Sequence, residues 1–181
     1  MIAVALDPAA MPLAVAGRGP AALRRFFALR DGGAQDLHLF SDLPDGLDEA
    51  GAALRPALPA RADLARLRAL WIVGLPDDKA TDLAVRARAE SVLVNVEDRP
   101  ALCDFHSVAE VRRGDLLLTV STGGASPGLA ARIRARLAAE FGPEWAEHVA
   151  LLRGRRTAWR RQGLEVAAET DALLRANGWL A

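Results

Sequence analysis

Short apolar runs alternate with segments of helical periodicity through the first hundred residues. Residues 12–16 form an unbroken run that stops at Gly17, the pattern of a strand buried on both faces. A helix is predicted over residues 20–29, with Pro20 in its first turn, Leu23, Phe26 and Phe27 on one apolar face, and Gly32-Gly33 as its stop. Leu37–Phe40 reads as a second strand closed by Ser41 and Asp42. Pro44, Pro56 and Pro59 break up residues 43–67, where one short helix, one short strand and a turn are expected. Residues 70–74 and 92–96 read as buried strands, and Asp77–Ala89 as a helix with Asp77 at its N-cap. Apolar strands alternating with helices predict an α/β fold: a parallel sheet with helices on both faces.

The pattern changes after Asp98. Residues 105–111 and 116–122 flank Arg112-Arg113-Gly114-Asp115 and read as a hairpin. From Pro127 onward the spacing is helical, through Leu129, Ile133 and Leu137 and then Trp145, Val149, Leu152 and Trp159, with a stop near Asn177-Gly178.

Composition narrows the function classes. The chain has 181 residues, with 23 basic against 23 acidic side chains. That balance argues against nucleic-acid binding, which usually brings a basic excess. No apolar run approaches the roughly 18 residues of a membrane span, and residues 1–6 lack the basic start of a signal peptide. Cys103 is the single cysteine and cannot close an internal disulfide, so a cytoplasmic protein is expected. Lys79 is the only lysine among the basic residues; arginine grips carboxylates with a planar fork that lysine lacks.

Three segments carry candidate chemistry. Gly17-Arg18-Gly19-Pro20-Ala21-Ala22 follows a strand and opens a helix, as the dinucleotide fingerprint requires. Gly17 permits the tight turn, Gly19 lets backbone approach a pyrophosphate, and Ala22 lets the helix pack closely. Asp42 stands 20 residues beyond Ala22, where an acid binds ribose hydroxyls and favours NAD; Arg18 beside the loop instead suits a 2′-phosphate. Asp98, just past residues 92–96, falls where open parallel sheets bind ligands, and equally reads as a turn residue ahead of Pro100. Ser121-Thr122-Gly123-Gly124-Ala125-Ser126-Pro127 reads either as an anion-binding loop or as a strand-to-helix turn with Ser126 as N-cap. His38, His106 and His148 are scattered, and Cys103 with His106 is an incomplete pair, so no metal site is expected. The arginines of the helical half, Arg132, Arg134, Arg136, Arg153, Arg155, Arg156, Arg160 and Arg161, read as solvated faces, some able to grip a polycarboxylate.

Val94-Asn95-Val96-Glu97-Asp98-Arg99-Pro100, followed by Ala101-Leu102-Cys103-Asp104-Phe105-His106 and by the Ser121–Pro127 loop, resembles the precorrin-2 dehydrogenase/sirohydrochlorin ferrochelatase family, the N-terminal module of siroheme synthase. The resemblance implies a Rossmann-like NAD-binding domain at 1–104, a β-hairpin and helix dimerisation region at 105–142, and a small all-helical domain at 143–181. It implies NAD-dependent oxidation of precorrin-2 to sirohydrochlorin by a homodimer, with ferrous iron insertion as a further activity. By the same resemblance Asp98 is the catalytic residue, and Thr122, Ser121, Gly123 and His106 meet the substrate. Gly17, Gly19, Pro20, Ala21, Asp42 and Leu43 would meet the cofactor. The chain reads Gly-Arg-Gly where the family loop usually has three glycines, and Val73-Gly74-Leu75-Pro76-Asp77 where it usually has a threonine. The alternatives are a chelatase-only member and a non-catalytic dimer that binds a tetrapyrrole or nucleotide.

Overall fold

The structure is a computed structural model and describes residues 2–179. It parts into two compact units, Met1–Ser107 and Val108–Ala181.

The first unit is a Rossmann-like layer structure. Its strands are β1 (Leu13–Gly17), β2 (Leu37–Phe40), β3 (Leu54–Arg55), β4 (Ala69–Val73) and β5 (Leu93–Val96). Its helices are α1 (Gly19–Asp31), the single turn α2 (Arg61–Leu64) and α3 (Asp77–Ala89). The strands pair in the order β3-β2-β1-β4-β5, all parallel. Strand side chains alternate between faces, so β1 divides its residues. Leu13 and Val15 join Ala22 and Phe26 of α1 in one core, while Ala14 and Ala16 join Ala80, Leu83, Ala84 and Ala87 of α3 in the other. The small residues facing α3 let that helix lie close to the sheet.

Asp77 is the first residue of α3 rather than its cap; Pro76 holds the cap position and no side chain caps the end. Pro76 lacks an N–H of its own, and its fixed φ suits entry into a helix. The strand predicted at residues 92–96 is buried except for Leu93, because β5 is an edge of the sheet.

That edge is covered by chain rather than by a sixth strand. Val94 donates to an Asp104 carboxylate oxygen at 2.9 Å, and Asp104 N donates back to Val94 O at 2.8 Å. Val96 N donates to Cys103 Sγ at 3.2 Å, and the buried Asn95 donates through Nδ2 to Phe105 O at 2.8 Å. Phe105 packs edge-to-face on Trp71, and Trp71 Nε1 donates to Ser107 Oγ at 3.0 Å. Residues 103–107 are thus held by the sheet.

The second unit begins with the hairpin of β6 (Ala109–Arg113) and β7 (Leu116–Val120), followed by α4 (Pro127–Glu140), α5 (Trp145–Arg161) and α6 (Val166–Asn177). The first hairpin strand starts later than predicted and runs two residues further, taking Arg112 and Arg113 into β6, and the second ends two residues earlier. Phe105 is committed to Trp71, and Thr122 is drawn into the turn ahead of α4. Gly114 makes the hairpin turn with φ +55 and leaves room for Ala146 against it. Arg113 donates to Phe141 O at 2.9 Å and Ala138 O at 3.1 Å, supplying donors to the end of α4. Gly178 in left-handed conformation stops α6 where the sequence places the stop.

Candidate functional site

In a parallel sheet all strands end at the same edge, and β1 is where the strand order reverses, between β2 and β4. That switch point is the default ligand crevice of such sheets. Gly17 ends β1, and Asp42, Gly74 and Asp98 follow the ends of β2, β4 and β5, so the fold gathers them at this edge. A depression of about 480 Å³ lined by Met11, Pro12, Gln35 and Asp36 lies at the opposite edge, before the strands begin, and carries none of the candidate residues.

The two glycines of the first turn differ in their work. A Cβ on Gly17 would stand 2.2 Å from Val73 O and 2.9 Å from the Ala22 Cβ, so Gly17 is required by close packing of β1, β4 and α1. The left-handed residue of the turn is Gly19, at φ +64, and nothing lies within 4 Å of where its Cβ would be. The first turn of α1 has no side-chain cap, which leaves backbone N–H groups for an anion. An open cradle that a Cβ would fill, ahead of an uncapped helix, fits a dinucleotide pyrophosphate. Pro20 and Ala21 lie in that first turn. Gly74 has φ +65 with Arg18 O 3.0 Å from its Cβ position, so it completes the floor of the turn.

Asp42 is not a free ribose acceptor. Arg18 donates through Nε to Oδ1 at 2.8 Å and through Nη2 to Oδ2 at 2.6 Å, and Lys79 donates to Oδ2 at 2.6 Å. These bonds, that of Arg18 first and then that of Lys79, hold the Asp42 carboxyl well below the usual carboxylate range. The Arg18 guanidinium is raised chiefly by its bond to Asp42, with Asp78 adding to the effect. Lys79 is the residue that sequence reasoning passed over: it was visible only as the sole lysine, and α3 brings it across to the end of β2. Leu43 is exposed, its backbone N–H donating to Ser41 Oγ.

Asp98 occupies the turn after β5 with φ +62, a conformation uncommon outside glycine and best tolerated by Asn and Asp. Its neighbours are both tied down. Glu97 accepts from Arg25 of α1, at 2.8 Å from Nε, and Arg99 pairs with Asp77 at the start of α3. The turn is therefore anchored to a helix on each face of the sheet, and Asp98 between the anchors is exposed. A strained, anchored, exposed carboxylate is the kind of outlier that functional sites keep. His106 lies further along the same unit and is exposed.

Ser121, Thr122 and Gly123 belong to the second unit. Thr122 Oγ1 accepts from Ser126 N and donates to Ser126 O, and Ser121 Oγ accepts from Gly123 N. Ser126 Oγ accepts from Leu129 N with Pro127 opening α4. The segment has the strand-to-helix turn geometry, with its hydroxyls in local bonds. The arginines of the helical half are exposed, and Arg153 among them pairs with Asp115. Among the described residues no group of three His, Cys, Asp or Glu side chains comes together, and no helix is long and apolar enough to cross a membrane.

Comparisons with known proteins agree with this architecture. The family described as "Putative NAD(P)-binding" matches residues 4–109, and the family "Sirohaem biosynthesis protein central" matches residues 113–140. A siroheme synthase of Methylococcus capsulatus is 32% identical over 179 residues, which is 88% of this chain and 37% of that protein. A siroheme synthase of Nitrosococcus oceani is 36% identical over 127 residues, 68% of this chain and 27% of that protein. The chain thus spans roughly a third of the length of these curated relatives. A solved structure of SirC, a precorrin-2 dehydrogenase, matches in fold with a TM-score of 0.75 at 22% identity, over 97% of this chain and 88% of that one. The NAD(P)-binding family model covers more than half of this chain and the sirohaem biosynthesis central model follows it, so the chain belongs to this NAD(P)-binding family and carries a sirohaem biosynthesis central segment.

Proposed function

We propose that the chain oxidises precorrin-2 to sirohydrochlorin with NAD as hydride acceptor. The observation that carries this reading is the placement, at one sheet edge, of an open glycine turn at Gly19 and a left-handed, anchored carboxylate at Asp98. Gly19 and Ala21 offer the pyrophosphate backbone N–H groups, Gly17 and Pro20 shape the turn that meets it, and Asp42 and Leu43 flank the adenosine end. The nicotinamide, when bound, takes up the hydride that leaves the macrocycle. Asp98 accepts the proton that leaves with it, so the substrate loses two hydrogens and two electrons. Arg25 and Asp77 keep Asp98 in place through Glu97 and Arg99. The family resemblance assigns substrate contacts to His106 in the first unit and to Ser121, Thr122 and Gly123 in the second, and arginine side chains attract the substrate's carboxylates. The protein works as a cytoplasmic homodimer with parts at 1–104, 105–142 and 143–181, the middle one at the dimer contact. Ferrous iron insertion into the product is a second activity in which the same Asp98 helps to deprotonate the macrocycle.

The test is anaerobic. Purified protein, precorrin-2 and NAD are mixed, and the sirohydrochlorin spectrum and reduced nicotinamide absorbance are followed together. Parallel appearance of both supports the dehydrogenase. No change with intact substrate overturns it, and supplying sirohydrochlorin with ferrous iron then separates a chelatase from a binding module.

A further inference from the structure

The ion cluster at the end of β2 speaks to which dinucleotide the crevice accepts. An acidic residue here selects NAD because both carboxylate oxygens are free to accept from the ribose diol, and because its charge repels a 2′-phosphate. Neither condition holds for Asp42. Both of its oxygens already accept, Oδ1 from Arg18 and Oδ2 from Arg18 and Lys79. Its charge is countered by two cations held against it, while Asp78 also acts on Arg18, so the cluster is balanced rather than acidic.

The unused hydrogen-bonding capacity is of the opposite kind. Arg18 uses Nε and one N–H of Nη2, and its Nη1 has no partner among the described residues. A guanidinium carries five donors and an ammonium three, so both cations keep donors after serving Asp42. The side chains of Arg18, Asp42 and Lys79 are 22%, 23% and 44% exposed, so a ligand can reach them. A cluster with spare cationic donors and a carboxylate already accepting three bonds is matched better to a phosphate monoester than to a diol.

We infer that this chain accepts the 2′-phosphorylated cofactor, NADP, alongside NAD, with Arg18 and Lys79 holding the 2′-phosphate. The inference rests on the dinucleotide reading of the β1–α1 turn and adds a specificity role for two residues. Arg18 is the decisive one, because it both occupies Asp42 and offers the phosphate its free fork.

The test is calorimetric titration of the full chain with NAD and NADP, with no substrate present. The wild type should bind NADP within about tenfold of NAD, a difference of at most about 1.4 kcal/mol. Arg18→Ala should move the two affinities in opposite directions. NADP weakens by about tenfold or more as a charge-assisted contact is lost, while NAD tightens because Asp42 regains free oxygens. Lys79→Ala, on an exposed helix position, should weaken NADP with less effect on NAD. NAD binding with NADP disfavoured by about a hundredfold or more overturns the inference and leaves the dinucleotide reading standing. Parallel loss of both cofactors in Arg18→Ala, in protein that melts like the wild type, overturns it as well. Failure of the folded wild type to bind either dinucleotide refutes both readings.

Discussion

The two glycines of the first turn should fail in different ways when each is changed to alanine. In Gly17→Ala the new methyl group would stand 2.2 Å from Val73 O. That oxygen cannot easily retreat, because it accepts from Arg18 N at 3.1 Å and β4 is paired on both sides. A second overlap, 2.9 Å to the Ala22 Cβ, blocks relief toward α1. Overpacking commonly costs about 1–3 kcal/mol, and a clash with fixed backbone belongs at or above the top of that range. At roughly 4–8 °C per kcal/mol for a unit of about 100 residues, the α/β unit should melt about 12–24 °C early. Gly19→Ala meets nothing within 4 Å; its cost is the left-handed φ alone, about 1 kcal/mol, or roughly 4–8 °C. Its methyl group instead fills the open cradle, so dinucleotide affinity should fall by about tenfold or more, equivalent to about 1.4 kcal/mol. Scanning calorimetry of the full chain separates transitions of the two compact units where they differ, and isothermal titration with NAD reads the binding. If Gly17→Ala melts with the wild type while Gly19→Ala melts far earlier, the division between packing and ligand approach is wrong.

Three further outcomes follow from the same geometry. Asp98→Asn keeps a residue that tolerates left-handed φ, so stability should stay within about 0.5 kcal/mol while precorrin-2 turnover falls about a hundredfold or more. Wild-type turnover in that variant would remove Asp98 from the chemistry. The Asp42 carboxyl is depressed in the fold, so the stability it adds is present above its unfolded value of about 3.9 and is lost as pH falls below that value toward the folded one. Carboxyl NMR should show Asp42 still ionised at pH values where ordinary aspartates have titrated, and titrating higher in Arg18→Ala; an ordinary wild-type titration contradicts the ion-pair geometry. Ser126→Ala removes the cap bond to Leu129 N and should cost the second unit about 1 kcal/mol, read as a lower urea midpoint; an unchanged midpoint means the cap contributes nothing to stability.

Much of the α/β half is legible in the chain because a strand buried on both faces must be apolar throughout. Residues 12–16 and 70–74 show this, and β1 and β4 fall within a residue of them. The glycine turn is legible for a related reason: only glycine meets the close approach at position 17 and the positive φ at position 19. The hairpin ends are less legible. Phe105 has the composition of a strand residue, but its partner is Trp71, 34 positions away in the chain. The motif around Asn95, Cys103 and Asp104 shows another limit. Its residues look chemical, yet in the fold they satisfy the free edge of β5.

By itself the sequence determined the order of strands and helices, the turn that opens α1 and the acidic positions after β2 and β5, because hydrophobic period and backbone sterics are local properties. What the tertiary structure decided was the state of those acids. Asp42 accepts three bonds because Arg18 reaches it from the β1–α1 turn and α3 carries Lys79 across to β2, and Asp98 is pinned because α1 and α3 reach its neighbours from opposite faces of the sheet. A side chain's partners are set by which strand ends lie side by side, and that adjacency comes from packing two cores against one sheet rather than from spacing along the chain.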